Sequence, residues 1–232
     1  AELSYSEFDE LNKYSKEQNI TFFSAPFDLE SAEYLNKIDV PCFKIASSDL
    51  TNIPLITKVA KMQKPMIIST GVSTMKEVED AVNLYRNAQN PNIILLHCVS
   101  NYPALASDAN LRAMGTMAQA FKIPVGFSDH TLGIEVPLAA VALGASVIEK
   151  HFTLDKSLPG PDHSSSANPV QFRQLVDNIR DAESVLGSSL KEPCNAELEN
   201  APGMRRSIVA KRNIRKGTII DQNMLTTKRP AI

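Results

Sequence analysis

Short runs of β-branched and aromatic residues recur at intervals of roughly 25 residues along this chain, and amphipathic stretches fill the gaps between them. The runs are ITFFSAPF (20–27), CFKIASSD (42–49), PMIISTGV (65–72), IILLHCVS (93–100), IPVGFSDH (123–130) and SVIEKHFT (146–153). They are apolar on both faces, as parallel strands covered by helices must be. The intervening stretches have helical periodicity: SAEYLNKI (31–38), IPLITKVAKM (53–62), MKEVEDAVNLYR (75–86), ANLRAMGTMAQAF (109–121) and GIEVPLAAVALGA (133–145). Six successive βα units predict an α/β fold built on a parallel sheet. The last unit ends in a longer helical stretch, NPVQFRQLVDNIRDAESVLG (168–187), with Gly187 placed to stop it.

Polar residues collect at one place in every unit, the C-terminal end of the strand. They are Ser24; Lys44 with Ser47 and Asp49; Ser69 and Thr70; His97 and Ser100; Asp129 and His130; Lys150 and His151. A (β/α)8 TIM barrel draws its active site from several strand ends at that face, whereas a doubly wound sheet gathers its ligand at one switch point, commonly over a Gly-rich phosphate loop. No GxGxxG or GxxxxGK sequence occurs here. The expectation is therefore a (β/α)8 barrel over residues 1–190, with six of its units in this chain. KEPCNAELENAPGMRR (191–206) reads as a polar linker. Residues 207–232 read as short strands of a small β-rich module, with IRKG (214–217) turning before TIID. The N-terminal AELSYSEFDEL is acidic and amphipathic, unlike a signal peptide, and is read as starting inside a helix.

Charge and cysteine usage narrow the function. Lys and Arg number 24 against 26 Asp and Glu, a net charge of −2 over 232 residues, so no basic field points to nucleic acid. No run of about 18 apolar residues marks a membrane span. Cys42, Cys98 and Cys194 form no CxxC pair, which argues against a disulfide framework and for a reducing, cytoplasmic setting. Small-molecule chemistry is the class that fits.

His130 and His151, at the ends of adjacent strands, can point their imidazoles into one mouth, as a divalent metal with open positions requires; each alone is equally a hydrogen-bonded strand-end histidine. Asp129 either orients a ring or caps the next helix. His97 reads as a core histidine or a ligand, and Cys98 lacks an activator evident in the sequence. Lys44, between Phe43 and Ile45, is a Schiff-base nucleophile or a cation for a phosphate or carboxylate, unless it faces outward. Ser47 and Ser69 offer hydroxyls to the same anion. LPGPDHSSS (158–166) is a stiffened linker or a lid carrying Asp162 and His163.

SAPFD, FKIASSD, IISTGV, LLHCVSNYP, GFSDHT and IEKHFTLDKSLPGPDHSSS, in this order, resemble the sialic acid synthase family, which includes N-acetylneuraminate and legionaminate synthases. The resemblance runs over nearly the whole chain. It implies a (β/α)8 barrel followed by a small antifreeze-like (SAF) domain, partial here, and two βα units preceding the position where this chain begins. It implies condensation of phosphoenolpyruvate with an N-acetylated hexosamine, releasing phosphate and forming a nine-carbon 2-keto acid with Mn²⁺ or Mg²⁺. By that resemblance His130 and His151 ligate the metal, and Lys44, Ser47, Ser69, Ser100 and Ser128 hold phosphoenolpyruvate. Asp49, where the family commonly has Glu, is a catalytic carboxylate facing the sugar, with Tyr102 and Asp162 as further contacts. Arg229 matches an arginine donated to the neighbouring subunit in a domain-swapped homodimer. Two other readings are kept: a Schiff-base aldolase using Lys44 or Lys150, and a sugar-binding remnant without catalysis.

Overall fold

Helices start where the chain supplies a capping side chain. Asp28 caps α2 (Leu29–Lys37), Asn52 caps α3 (Ile53–Lys61) and Thr74 caps α4 (Met75–Asn87), each accepting the third helical N–H. Thr74 and Glu77 complete a capping box, and so do Ser4 and Glu7 at the head of α1 (Tyr5–Glu17). The N-terminal helix therefore begins at its own cap, not ahead of it as the sequence suggested. This is a computed structural model, and it describes residues 3–230.

Five strands form one parallel sheet in sequential order: β1 (Phe43–Ile45), β2 (Met66–Ser69), β3 (Ile93–Cys98), β4 (Val125–Asp129) and β5 (Ile148–Lys150). α3, α4, α5 (Arg112–Phe121) and α6 (Glu135–Ala142) make the crossovers, and α7 (Pro169–Leu186) packs beside α6. The curled sheet is a half-barrel. A sixth strand, expected over 20–27, is not formed: the segment gives β1 one bond, Lys44 N–H to the Ser24 carbonyl at 3.3 Å. Pro26, which has no N–H, shortens any ladder it could extend.

The main core lies between the outer face of this sheet and the helices. Phe43, Ile45, Met66, Ile68, Leu95 and Phe127 meet the apolar stripes of α3 (Leu55, Ile56, Val59, Ala60) and α4 (Val78, Ala81, Val82, Tyr85). This leaves the inner face free to carry polar side chains.

A second compact unit spans Gly187–Ile232. The expected linker holds a helix instead, α8 (Asn195–Met204), whose start is closed by Glu197 accepting the Cys194 N–H at 2.9 Å. β6 (Ser207–Ala210) pairs antiparallel with β7 (Leu225–Lys228). TIID is not a strand; its Asp221 caps the 3₁₀ turn Gln222–Met224. None of this unit's described residues is buried. Among the described residues no helix is long and apolar enough to cross a membrane.

Candidate active site

Successive residues of a strand point to opposite faces, and this alternation divides the strand-end polar residues into two sets. Lys44, Ser69, Cys98, Ser128 and Glu149 take the inner face, with Cys98, Ser128 and Glu149 in register across β3, β4 and β5. One step further along the chain come Ser47, Ser100, His130 and His151. These side chains line a single cavity of about 410 Å³, with Phe27, Val72 and Tyr102 also lining it.

The outer set is engaged elsewhere. Thr70 Oγ1 donates to the Leu96 carbonyl at 3.0 Å, and His97 Nε2 bonds the Ala109 carbonyl at 2.7 Å beside the Phe127 ring. Asp129 accepts from the Thr131 N–H and hydroxyl at 2.9 and 2.7 Å, and pairs with Lys150 at 2.5 Å. His97 is thus a core histidine, held below the ordinary imidazole pKa by burial. Asp129 orients neither histidine ring. Lys150 lies on the face away from the cavity, so it is removed as a Schiff-base nucleophile.

The cavity floor is an ionic chain. Lys44 Nζ donates to Ser69 Oγ at 2.7 Å and lies 3.5 Å from Glu149 Oε2, while Ser128 Oγ donates to Glu149 Oε1 at 2.6 Å. Because Ser69 accepts from an ammonium, its own O–H remains available to donate. Ser47 is arranged alike: its Oγ accepts the Gly71 N–H at 3.0 Å. A Cβ at Gly71 would stand 2.1 Å from Ser100 Oγ and 2.8 Å from Ser47 Oγ, so the bare Cα makes room for both hydroxyls. An ammonium with three or four convergent hydroxyls is a receptor for a polyanion.

The two imidazoles sit above this floor, 5.2 Å apart between centroids and inclined at 80°. His130 Nδ1 bonds the Val99 carbonyl at 2.7 Å, which places the proton on Nδ1 and leaves the Nε2 lone pair unspent. Burial disfavours charge on His130, but its contacts with Cys98 (3.8 Å) and the Val99 carbonyl outweigh this and raise its pKa. For Cys98, burial works upward and His130 downward, with a net lowering. Burial, and then the charge of His130, lower the pKa of His151, whose Nδ1 is 3.7 Å from Asp162 Oδ2. Tyr102 packs on both rings, 4.1 Å from His130 and 5.2 Å from His151. Among the described residues, no group of three or more His, Cys, Asp or Glu is gathered as a protein-only metal cage.

Of the residues singled out in the sequence, Lys44, Ser47, Ser69, Ser100, Tyr102, Ser128, His130 and His151 come together in this cavity. Asp162 does not line it but lies 3.7 Å from His151 Nδ1. Asp49 lies on the 3₁₀ turn Ser47–Asp49, accepts from Asn52 Nδ2 at 2.9 Å and Ser48 Oγ at 3.1 Å, and does not line the cavity. Arg229 follows β7 in the second unit. Glu149 is the charged cavity residue that sequence reasoning did not find, and Phe27 and Val72 are apolar ones it also missed. For Glu149 the signal was available: this residue stands two before His151, as Ser128 stands two before His130.

Residues 1–191 match the NeuB family and residues 205–231 the SAF domain. An uncharacterised protein of Methanocaldococcus jannaschii is 52% identical over 99% of this chain and 68% of its own length. The N,N'-diacetyllegionaminic acid synthase of Campylobacter jejuni subsp. jejuni is 47% identical over 99% of this chain and 70% of its own length. The crystal structure of N-acetylneuraminic acid (sialic acid) synthetase from Leptospira borgpetersenii, in complex with citrate, superposes with a TM-score of 0.81 at 41% identity. It covers 86% of this chain and 70% of that one.

Proposed function

The chain belongs to the NeuB family, and from that premise we propose that it condenses phosphoenolpyruvate with an N-acetylated hexosamine, releasing phosphate and forming a nine-carbon 2-keto acid. The observation that carries this is the division of one cavity into an ionic floor, Lys44 with its serines, and a pair of imidazoles above it.

Lys44, Ser47, Ser69 and Ser100 hold the carboxylate and phosphate of phosphoenolpyruvate by charge-assisted and hydroxyl bonds, and Ser128 joins them by turning its single O–H from Glu149 to the anion. Glu149 keeps Lys44 and Ser128 in place from the opposite side of the floor. His130 and His151, whose rings meet 5.2 Å apart above the floor, are the residues that would hold Mn²⁺ or Mg²⁺ through their ring nitrogens. Bound there, the ion supplies Lewis acidity at the carbonyl oxygen of the acceptor sugar. Tyr102 and Asp162 face the sugar, whereas Asp49, which is held by Asn52 and Ser48 and does not line the cavity, is not assigned a contact with it. The proposal includes a cytoplasmic enzyme with a complete (β/α)8 barrel, acting as a domain-swapped homodimer in which Arg229 serves the neighbouring copy.

The test is phosphate release from phosphoenolpyruvate across a panel of N-acetyl sugars. His130→Ala and His151→Ala are expected to abolish turnover while phosphoenolpyruvate binding, measured by calorimetry, largely survives. Turnover untouched by EDTA, or near-normal turnover in either variant, refutes the two-histidine site. A borohydride-trapped adduct on Lys44 would favour the aldolase instead.

A further inference from the structure

Seven described residues other than glycine have positive φ. Asn19, Asp39, Gln63, Gln89 and Lys122 each close the end of one of the helices α1 to α5, where a left-handed residue is the ordinary way to finish the last turn. Asn110 is of the type that tolerates this conformation. Val72 is different: it is β-branched, has φ of 52°, and stands on the turn between β2 and α4. For such a residue the left-handed region is a true outlier, and outliers of this kind collect at ligand sites.

Nothing in the fold rewards a valine there. The residue is 82% exposed, so burial does not offset the strain, and glycine would take the same backbone without it. What the side chain does touch is the cavity, which it lines together with Phe27 and Tyr102, both also exposed. The floor of that cavity is ionic, so these apolar groups match a different part of whatever binds.

We propose that Val72, with Phe27 on the lining of the same cavity, forms an apolar subsite that receives the N-acyl methyl group of the acceptor amino sugar. This rests on the condensation proposed above. With the phosphoenolpyruvate anions held on Lys44 and the serines, the acceptor is left the remaining wall, where Val72 and Phe27 meet its acyl substituent. Val72 is then a specificity residue, selecting acylated over free amino sugars, and it has no part in holding the anion.

The test uses the whole protein with N-acetylmannosamine and unacylated mannosamine as probes. Saturation-transfer NMR on the parent is expected to mark the acetyl methyl more strongly than the ring protons. Val72→Gly is expected to melt higher than the parent, to lose that methyl signal, and to weaken N-acetylmannosamine binding roughly tenfold, the scale of losing a few methyl groups from an apolar pocket. Binding of mannosamine and of phosphoenolpyruvate, by calorimetry, should stay within twofold. Unchanged N-acetylmannosamine binding in Val72→Gly overturns the subsite, as does an equal loss for phosphoenolpyruvate, which would make the residue a shaper of the turn. Absence of methyl saturation in the parent overturns it as well. Phosphate release separates the two proposals: methyl contact without phosphate release removes the condensation and keeps the subsite, whereas release with an indifferent Val72→Gly does the reverse.

Discussion

Replacing Lys150 by methionine isolates the strongest electrostatic contact behind the candidate site. The Lys150 and Asp129 side chains are 4% and 0% exposed, their charged atoms are 2.5 Å apart, and Lys150 also donates to the Thr131 carbonyl at 2.8 Å. In Lys150→Met the Asp129 carboxylate keeps its two bonds from Thr131 but loses the Lys150 countercharge. Breaking a buried pair from one side costs about 3–5 kcal/mol, a large part of the roughly 5–15 kcal/mol that holds a domain folded. For a unit of this size about 1 kcal/mol shifts the melting temperature by about 2–4 °C, so the expected fall is roughly 6–20 °C. The double variant Asp129→Asn, Lys150→Met removes both charges, keeps an acceptor for Thr131 N–H and supplies amide donors for its carbonyl; it should recover most of the loss, because neutral replacements of buried pairs are often tolerated. Thermal unfolding followed by circular dichroism checks both. If Lys150→Met melts within about 2 °C of the parent, or the double variant melts as low as the single one, the assignment of a buried and mutually compensating pair is wrong.

Gly71→Ala should place its Cβ against Ser100 and Ser47, 2.1 and 2.8 Å from their hydroxyls, and displace both from the anion receptor. At a strain of about 1–3 kcal/mol this predicts about tenfold or greater loss of phosphoenolpyruvate affinity by calorimetry, and parent-like affinity would show that those hydroxyls do not bind it. His97, its pKa lowered by burial, gives a sign for acid stability. Its stabilising contribution is complete above the unfolded imidazole pKa of about 6.5 and is lost as pH falls from there toward the lowered folded value, since the unfolded chain takes up the proton first. His97→Gln, which retains a donor for the Ala109 carbonyl, should flatten that acid-side decline in melting temperature; identical slopes in variant and parent would refute the cause given.

The repeat of strands and helices was legible because it is written locally, in runs of β-branched residues and in caps such as Asn52 and Thr74. Residues 20–27 have strand composition and no strand, since pairing is a property of neighbours and not of the segment. At 195–204, Pro202 and Gly203 give the composition of a linker, yet the segment is helical, with its start closed by Glu197.

The candidate site was legible by residue type and only half legible by direction. Asp129 and His130, or Lys150 and His151, are adjacent polar residues of which one must face the cavity and the other the helices, and composition does not say which. Anchoring the two-residue period on the histidines does: it sends Asp129 and Lys150 outward as a pair and brings Ser128 and Glu149 inward as another. Val72 shows where even that rule stops. In the turn TGVS a reader assigns the left-handed residue to glycine, but Gly71 is occupied with a different task, since its missing Cβ admits Ser47 and Ser100. The positive φ therefore falls on the next residue, and a valine that bears it while exposed at the cavity is explained by what the cavity binds.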